Sequence, residues 1–130
     1  MHLVIDFWAE NNYQEEVVNN PDWSQILATI SRLDAEQFTQ VILSIGEEDF
    51  ILVGGGKGRY NVCVGQTDDQ YYKLMDLQKP SDKTEQLVTG GQSGNFPAQT
   101  VVNIQLATQA IQTYFNEKGK MDTGLIWRKD

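Results

Sequence analysis

Seven carboxylates stand in three tight runs: Glu15-Glu16, Glu47-Glu48-Asp49 and Asp68-Asp69. Paired carboxylates can carry out glycoside hydrolysis or hold a divalent cation. Both chemistries need oxygens that converge on one cleft from different elements. These runs fall in segments that read as loops and turns, where solvated charge is ordinary. None spaces its oxygens as a calcium loop does, with a closing glutamate. A metal-assisted enzyme would require Glu47–Asp49, Asp68–Asp69 and Asp76 to meet around one ion.

The remaining reactive groups are few. Cys63 is the only cysteine and His2 the only histidine. A thiolate nucleophile needs an activating neighbour, and a histidine beside the first residue is poorly placed to supply one. Cys63 therefore reads as a buried structural thiol, and His2 as an exposed residue. The run Gly54-Gly55-Gly56-Lys57-Gly58-Arg59 fails the phosphate-cradle test. A P-loop needs Ser or Thr after its lysine, and the dinucleotide fingerprint needs a third glycine where Arg59 stands. Both also need a helix to follow, and a strand pattern follows instead. The run reads as a flexible hairpin turn. No catalytic residue, metal ligand or cofactor is expected.

The elements that would position these groups can be read from spacing. Residues 3–8 alternate as a first strand, and the polar, Asn-rich residues 10–20 read as a loop. Asp22 and Gln25 form a capping box at the start of a helix whose apolar stripe is Trp23, Ile26, Leu27, Ile30 and Leu33. Phe38–Ile45, Phe50–Val53, Tyr60–Val64 and Tyr71–Leu77 are short runs of strand type, joined by turns at 46–49, 54–58 and 67–70. Residues 78–83 read as a polar loop and Thr84–Thr89 as a further strand, while 90–95 look flexible and solvated. Asn103 caps a second helix carrying Ile104, Ala107, Ala110, Ile111, Tyr114 and Phe115, and Gly119 stands at its C-terminal end. Leu125-Ile126-Trp127 is a short apolar return. Trp23 and Trp127 read as core. The expected fold is α+β: residues 1–130 form a single domain, with one antiparallel meander of about five to seven strands and two helices packed against it.

At 130 residues and 40% apolar composition the chain is long enough for one core and short for two domains. Eighteen acidic and ten basic side chains give a formal net charge of −8. That charge argues against binding nucleic acid or an anionic membrane surface, and suits a basic protein partner. A lone cysteine, no apolar run long enough to span a bilayer and no secretory leader pattern point to the cytoplasm.

Alternate turns of a meander lie at one end of its sheet. Glu47, Glu48, Asp49, Asp68 and Asp69 are therefore expected to form one acidic rim. Tyr71 and Tyr72 are adjacent on one strand, so one of them faces the helices. The other is free to act as an aromatic anchor beside the rim.

From about Phe50 onward the chain resembles the first-numbered immunity protein family of bacterial polymorphic toxin systems. The resemblance rests on several features: Gly54-Gly55-Gly56 before a strand, the Thr84-Glu85 strand start and the glycine-rich loop with Pro97. It continues with Val101-Val102 leading into the Ala107/Ala110 helix, Tyr114-Phe115 near that helix's end, and the terminal Leu125-x-Trp127. It implies a small cytoplasmic α+β protein without catalytic residues, which binds a cognate protein toxin and blocks its active site. The toxins of such systems include nucleic-acid-targeting deaminases and nucleases. A toxin that grips nucleic acid carries a basic cleft, and an acidic protein can occupy that cleft as a phosphate mimic. An alternative is a small-molecule or peptide-binding regulatory module, with the glycine loops at 54–58 and 90–94 as lids. It would show a deep apolar pocket. Exposed sheet edges also leave room for a homodimer.

Overall fold

The structure is a computed structural model and describes residues 1–10 and 12–130. Its strands are β1 (His2–Ala9), β2 (Asn12–Asn19), β3 (Gln40–Ile45), β4 (Asp49–Gly56), β5 (Arg59–Gln66), β6 (Gln70–Met75), β7 (Thr84–Thr89), β8 (Gln92–Pro97) and β9 (Ile126–Lys129). The helices are α1 (Trp23–Ile30) and α2 (Ile104–Asn116). Seven strands form one antiparallel sheet in the order β2-β1-β3-β4-β5-β6-β9, and β7-β8 is a separate hairpin. The α+β class, the large antiparallel sheet and the two packed helices agree with the sequence reading.

Both helices lie on one face of the sheet. Ile26 and Ile30 of α1 join Ala107, Ala110, Ile111 and Tyr114 of α2 in the core. They meet Leu3, Ile5, Val41, Leu43, Ile51, Val53, Val62, Val64 and Leu74 from the strands. These strand residues alternate, so they all project to the helix side. Each large side chain buried there contributes about 1.5–3 kcal/mol. The expected caps are present. Asp22 accepts from the Gln25 amide at 2.8 Å while the Gln25 side chain accepts from the Asp22 amide at 2.9 Å. Asn103 accepts from the Leu106 amide at 2.9 Å. At the end of α2 the Gly119 amide donates to the Tyr114 carbonyl, and Gly119 has a φ of +97°. Trp23 and Trp127 are only partly buried and pack against the edge of the core.

Three local expectations are corrected. Residues 12–19 form strand β2 where a loop was expected; of that predicted loop, residue 11 lies outside the described residues. The strand pairs with β1 on one side only and is exposed along nearly its whole length, so it has no apolar alternation to reveal it. Gly54–Gly56 belong to β4, and the turn is the two-residue Lys57-Gly58. A side chain on Gly54 would collide with Thr89 of β7, so this glycine serves close packing and not flexibility. Residues 92–97 form β8, and the hairpin turns at Gly90-Gly91, both at positive φ.

That hairpin lies against the sheet face opposite the helices. Its tip is fixed by a buried carboxylate. Asp6, 2% exposed, accepts from the Thr39 amide at 2.7 Å, the Gln40 amide at 2.8 Å, the Trp8 indole Nε1–H at 2.8 Å and the Thr39 hydroxyl. The same Thr39 hydroxyl accepts from the Gly91 amide at 2.9 Å. A side chain on Gly91 would run into the Trp8 ring. The hairpin therefore covers the end of the face where β4 ends in glycines, and beyond it Val4, Ile42, Leu52 and Cys63 are partly exposed.

Candidate functional site

The β3–β4 and β5–β6 turns close at the same end of the sheet, because β4 and β5 run antiparallel between them. Glu47, Glu48, Asp68 and Asp69 project there and are exposed. Among the described residues these four form no ion pair, so their negative charge is uncompensated by side-chain contacts. Asp68 and Asp69 take left-handed backbone angles, with φ of 74° and 58°. Aspartate tolerates that region better than most residues.

Asp49 plays a different part from its neighbours. Its Oδ1 accepts from the Thr67 amide at 2.9 Å, and both its oxygens lie 3.2 Å from the Thr67 hydroxyl. The carboxylate thus ties the first acidic turn to the second. Beside this tie is an open depression of about 370 Å³, lined by Ile45, Asp49, Gln66, Thr67, Asp68, Gln70, Lys118 and Gly119. Lys118 is the one cation in that lining.

The two tyrosines separate as alternation requires. Tyr72 projects toward the helix side with Leu74, is half-buried, and donates from its hydroxyl to Gln70 Oε1 at 3.0 Å. Tyr71 projects to the opposite face, 41% exposed, with its ring centroid 6.5 Å from that of Phe50. The Phe50 ring in turn lies over Gly65, which has no side chain to displace it. Of the pair, Tyr71 joins the rim region and Tyr72 does not.

The sheet face that carries Tyr71 also carries an unexpected apolar row. Strand register places Val17, Val4, Ile42, Leu52 and Cys63 side by side across β2, β1, β3, β4 and β5. Lys73 and Arg128 continue it onto β6 and β9, both ion-paired with Asp130 at 3.5 and 3.3 Å. Sequence reasoning missed this row. Its members are scattered over five strands, two of them with register or existence not legible in the sequence. Each strand does carry an apolar residue at an outward position, but only the register aligns them into a row.

Cys63 is half-buried on this face, not enclosed in the core as expected. Burial pushes its thiol up, against the opposing pull of the Lys73 charge, so it stays protonated near neutral pH. His2 is exposed, with Nδ1 2.5 Å from Asn19 Oδ1. Among the described residues, no three His, Cys, Asp or Glu side chains gather as metal ligands, so Glu47–Asp49, Asp68–Asp69 and Asp76 do not converge on one ion position. Among the described residues, no helix is long and apolar enough to cross a membrane.

Comparison with known proteins gives one family. Residues 9–129 match the family described as "Immunity protein Imm1", which takes in nearly the whole chain and extends well before Phe50. No curated protein matches it.

Proposed function

The chain belongs to the Imm1 family of immunity proteins, and from that premise we propose that it binds a cognate bacterial toxin domain one-to-one and neutralises it by occupying its active site. The family match over residues 9–129 carries this reading. In this reading the chain catalyses nothing. It acts by steric and electrostatic blocking, and the toxin is a nucleic-acid-targeting deaminase or nuclease.

The charge distribution supports that class of toxin. An enzyme that grips nucleic acid carries a basic cleft, and the rim of Glu47, Glu48, Asp68 and Asp69 offers unpaired negative charge where a phosphate backbone would lie. Net charge of −8 against such a cleft raises the encounter rate by orders of magnitude at low salt. Fast capture suits a protein that must protect its own cell. The alternative of a small-molecule or peptide module gains no support: the depressions are open-sided, and the glycine segments proposed as lids are paired strand and tight turn.

The experiment is co-expression with the toxin domain encoded by the adjacent reading frame. Co-purification of a one-to-one complex that abolishes the toxin's activity is the expected result. Full toxin activity at saturating immunity protein would refute the reading.

A further inference from the structure

We infer that the toxin docks on the open face of the sheet, with the apolar row Val17–Val4–Ile42–Leu52–Cys63 as the body of the interface and the acidic turns as its steering edge. This rests on the function proposed above and names the surface that performs it.

An antiparallel sheet with one solvated face normally alternates apolar-in and polar-out. Here the helix side is filled, yet the outward positions opposite one another on five adjacent strands are Val, Val, Ile, Leu and Cys. The β7–β8 hairpin covers only the glycine end of this face. From β2 to β5 the row crosses four inter-strand steps, about 19 Å at about 4.8 Å each. That is enough for the central part of a standard protein interface of about 800 Å² per partner. Val17, 58% exposed, and Tyr71 stand at its two sides as contact residues already in solvent.

Charge identifies the occupant. Phe50 and Tyr71 lie directly behind the acidic turns, so an approaching surface meets the apolar row and the carboxylates together. The fitting partner is a protein with an apolar patch bordered by Lys and Arg. A second copy of this chain would bring another −8 charge to the same place, which opposes association. One rival apolar surface, an open groove between the helices lined by Leu27, Ala28, Ile104 and Thr108, has no such edge. Neither α1 nor α2 contains a charged residue.

The test uses the full chain and a catalytically inactive form of the toxin domain from the adjacent reading frame. Leu52→Thr and Val17→Lys, separately, should raise Kd at least about 30-fold while the melting profile shows a folded protein. Leu27→Lys on the helix side should leave Kd unchanged. Without any substitution, the rate of Cys63 alkylation by N-ethylmaleimide, read by mass spectrometry, should fall at least about tenfold in the complex, as expected for a group within a water-excluding interface core. Unchanged affinity in both sheet-face variants with undiminished Cys63 alkylation would overturn the docking face while leaving the immunity function intact. Loss of affinity in Leu27→Lys alone would move the toxin to the helix side and overturn it equally. A homodimer dispersed by Val17→Lys with toxin binding untouched would make the face a self-association surface, again against the proposal. No binding by the wild-type chain would remove the function on which the proposal stands, and the proposal with it.

Discussion

The Asp49 carboxylate accepts from both the backbone N–H and the hydroxyl of Thr67, 18 residues away, and so holds two acidic turns together at one end of the sheet. The geometry of the rim depends on this tie. Asp49→Ala frees the Thr67 amide and lowers stability by about 1 kcal/mol, the ordinary worth of a partly exposed hydrogen bond. Hydrogen exchange should show the Thr67 amide exchanging faster in the variant. Unaltered protection would mean that the turns are held by their backbones alone.

The proposed steering role of Asp68 and Asp69 is electrostatic and long-range. Reversing both to lysine slows toxin association more than it speeds dissociation, and raising the ionic strength reproduces the effect on the wild type. Stopped-flow association at two salt concentrations checks this. Equal kinetics for the variant and the wild type would remove these residues from the encounter.

The buried Asp6 carries the hairpin, and its loss strands the Thr39 and Gln40 amides and the Trp8 indole without an acceptor. Asp6→Ala costs about 3 kcal/mol or more, in the range for breaking a buried polar network. Urea denaturation measures it. A midpoint within error of the wild type would show that the network contributes little.

How far the sequence revealed these features follows from what each residue touches. Periodicity exposed α1 and α2 because Ile26, Ile30, Ala107 and Ile111 share one buried surface. Capping chemistry at Asp22 and Asn103 is local, so it could be read directly. Strand β2 was hidden because an edge strand exposed on both faces has no apolar rhythm. Gly54 and Gly91 look like loop residues in the sequence, but each marks a place where the hairpin meets the sheet. Asp6 reads only as a charge inside a strand until Thr39, 33 residues away, supplies its partner. The rim could be anticipated from turn order. The apolar row could not, because it exists only once the register is known.

Tyr114 gives a pH-dependent prediction at the alkaline end. Burial, with a smaller contribution from the Asp49 charge, pushes its phenol up to about 12. The folded chain therefore holds this proton after the unfolded chain has begun to lose it near pH 10. Its contribution is fully present below pH ~10 and is lost as pH rises toward about 12. Its hydroxyl has no hydrogen-bond partner among the described residues. Tyr114→Phe should thus be neutral or stabilising by about 1 kcal/mol at pH 7, and should flatten the decline in melting temperature above pH 10. An equal alkaline decline in the variant would assign it to other groups.

At the acid end the carboxylates of Asp122 and Asp34 sit below their ordinary values. The Thr113 hydroxyl, the Gly124 amide and the Gln109 side chain lower Asp122. Burial pushes Asp34 up, but the amides of residues 36–38 and the Lys57 charge outweigh it. A depressed carboxyl stabilises the fold above its unfolded pKa, near 4, and loses that contribution as pH falls through the lower folded value. Melting temperature should therefore drop below pH ~4, and less steeply in Asp122→Asn. Parallel acid profiles would contradict this.

The mode of action proposed for this chain is occlusion of a toxin's active site. It is tested most directly by titrating the chain into a fixed concentration of the active toxin domain while following turnover of the toxin's substrate. Turnover should fall linearly to zero at one equivalent, with the immunity protein recovered chemically unchanged. Residual turnover that levels off well above zero, or inhibition that requires chemical modification of the toxin, would contradict it.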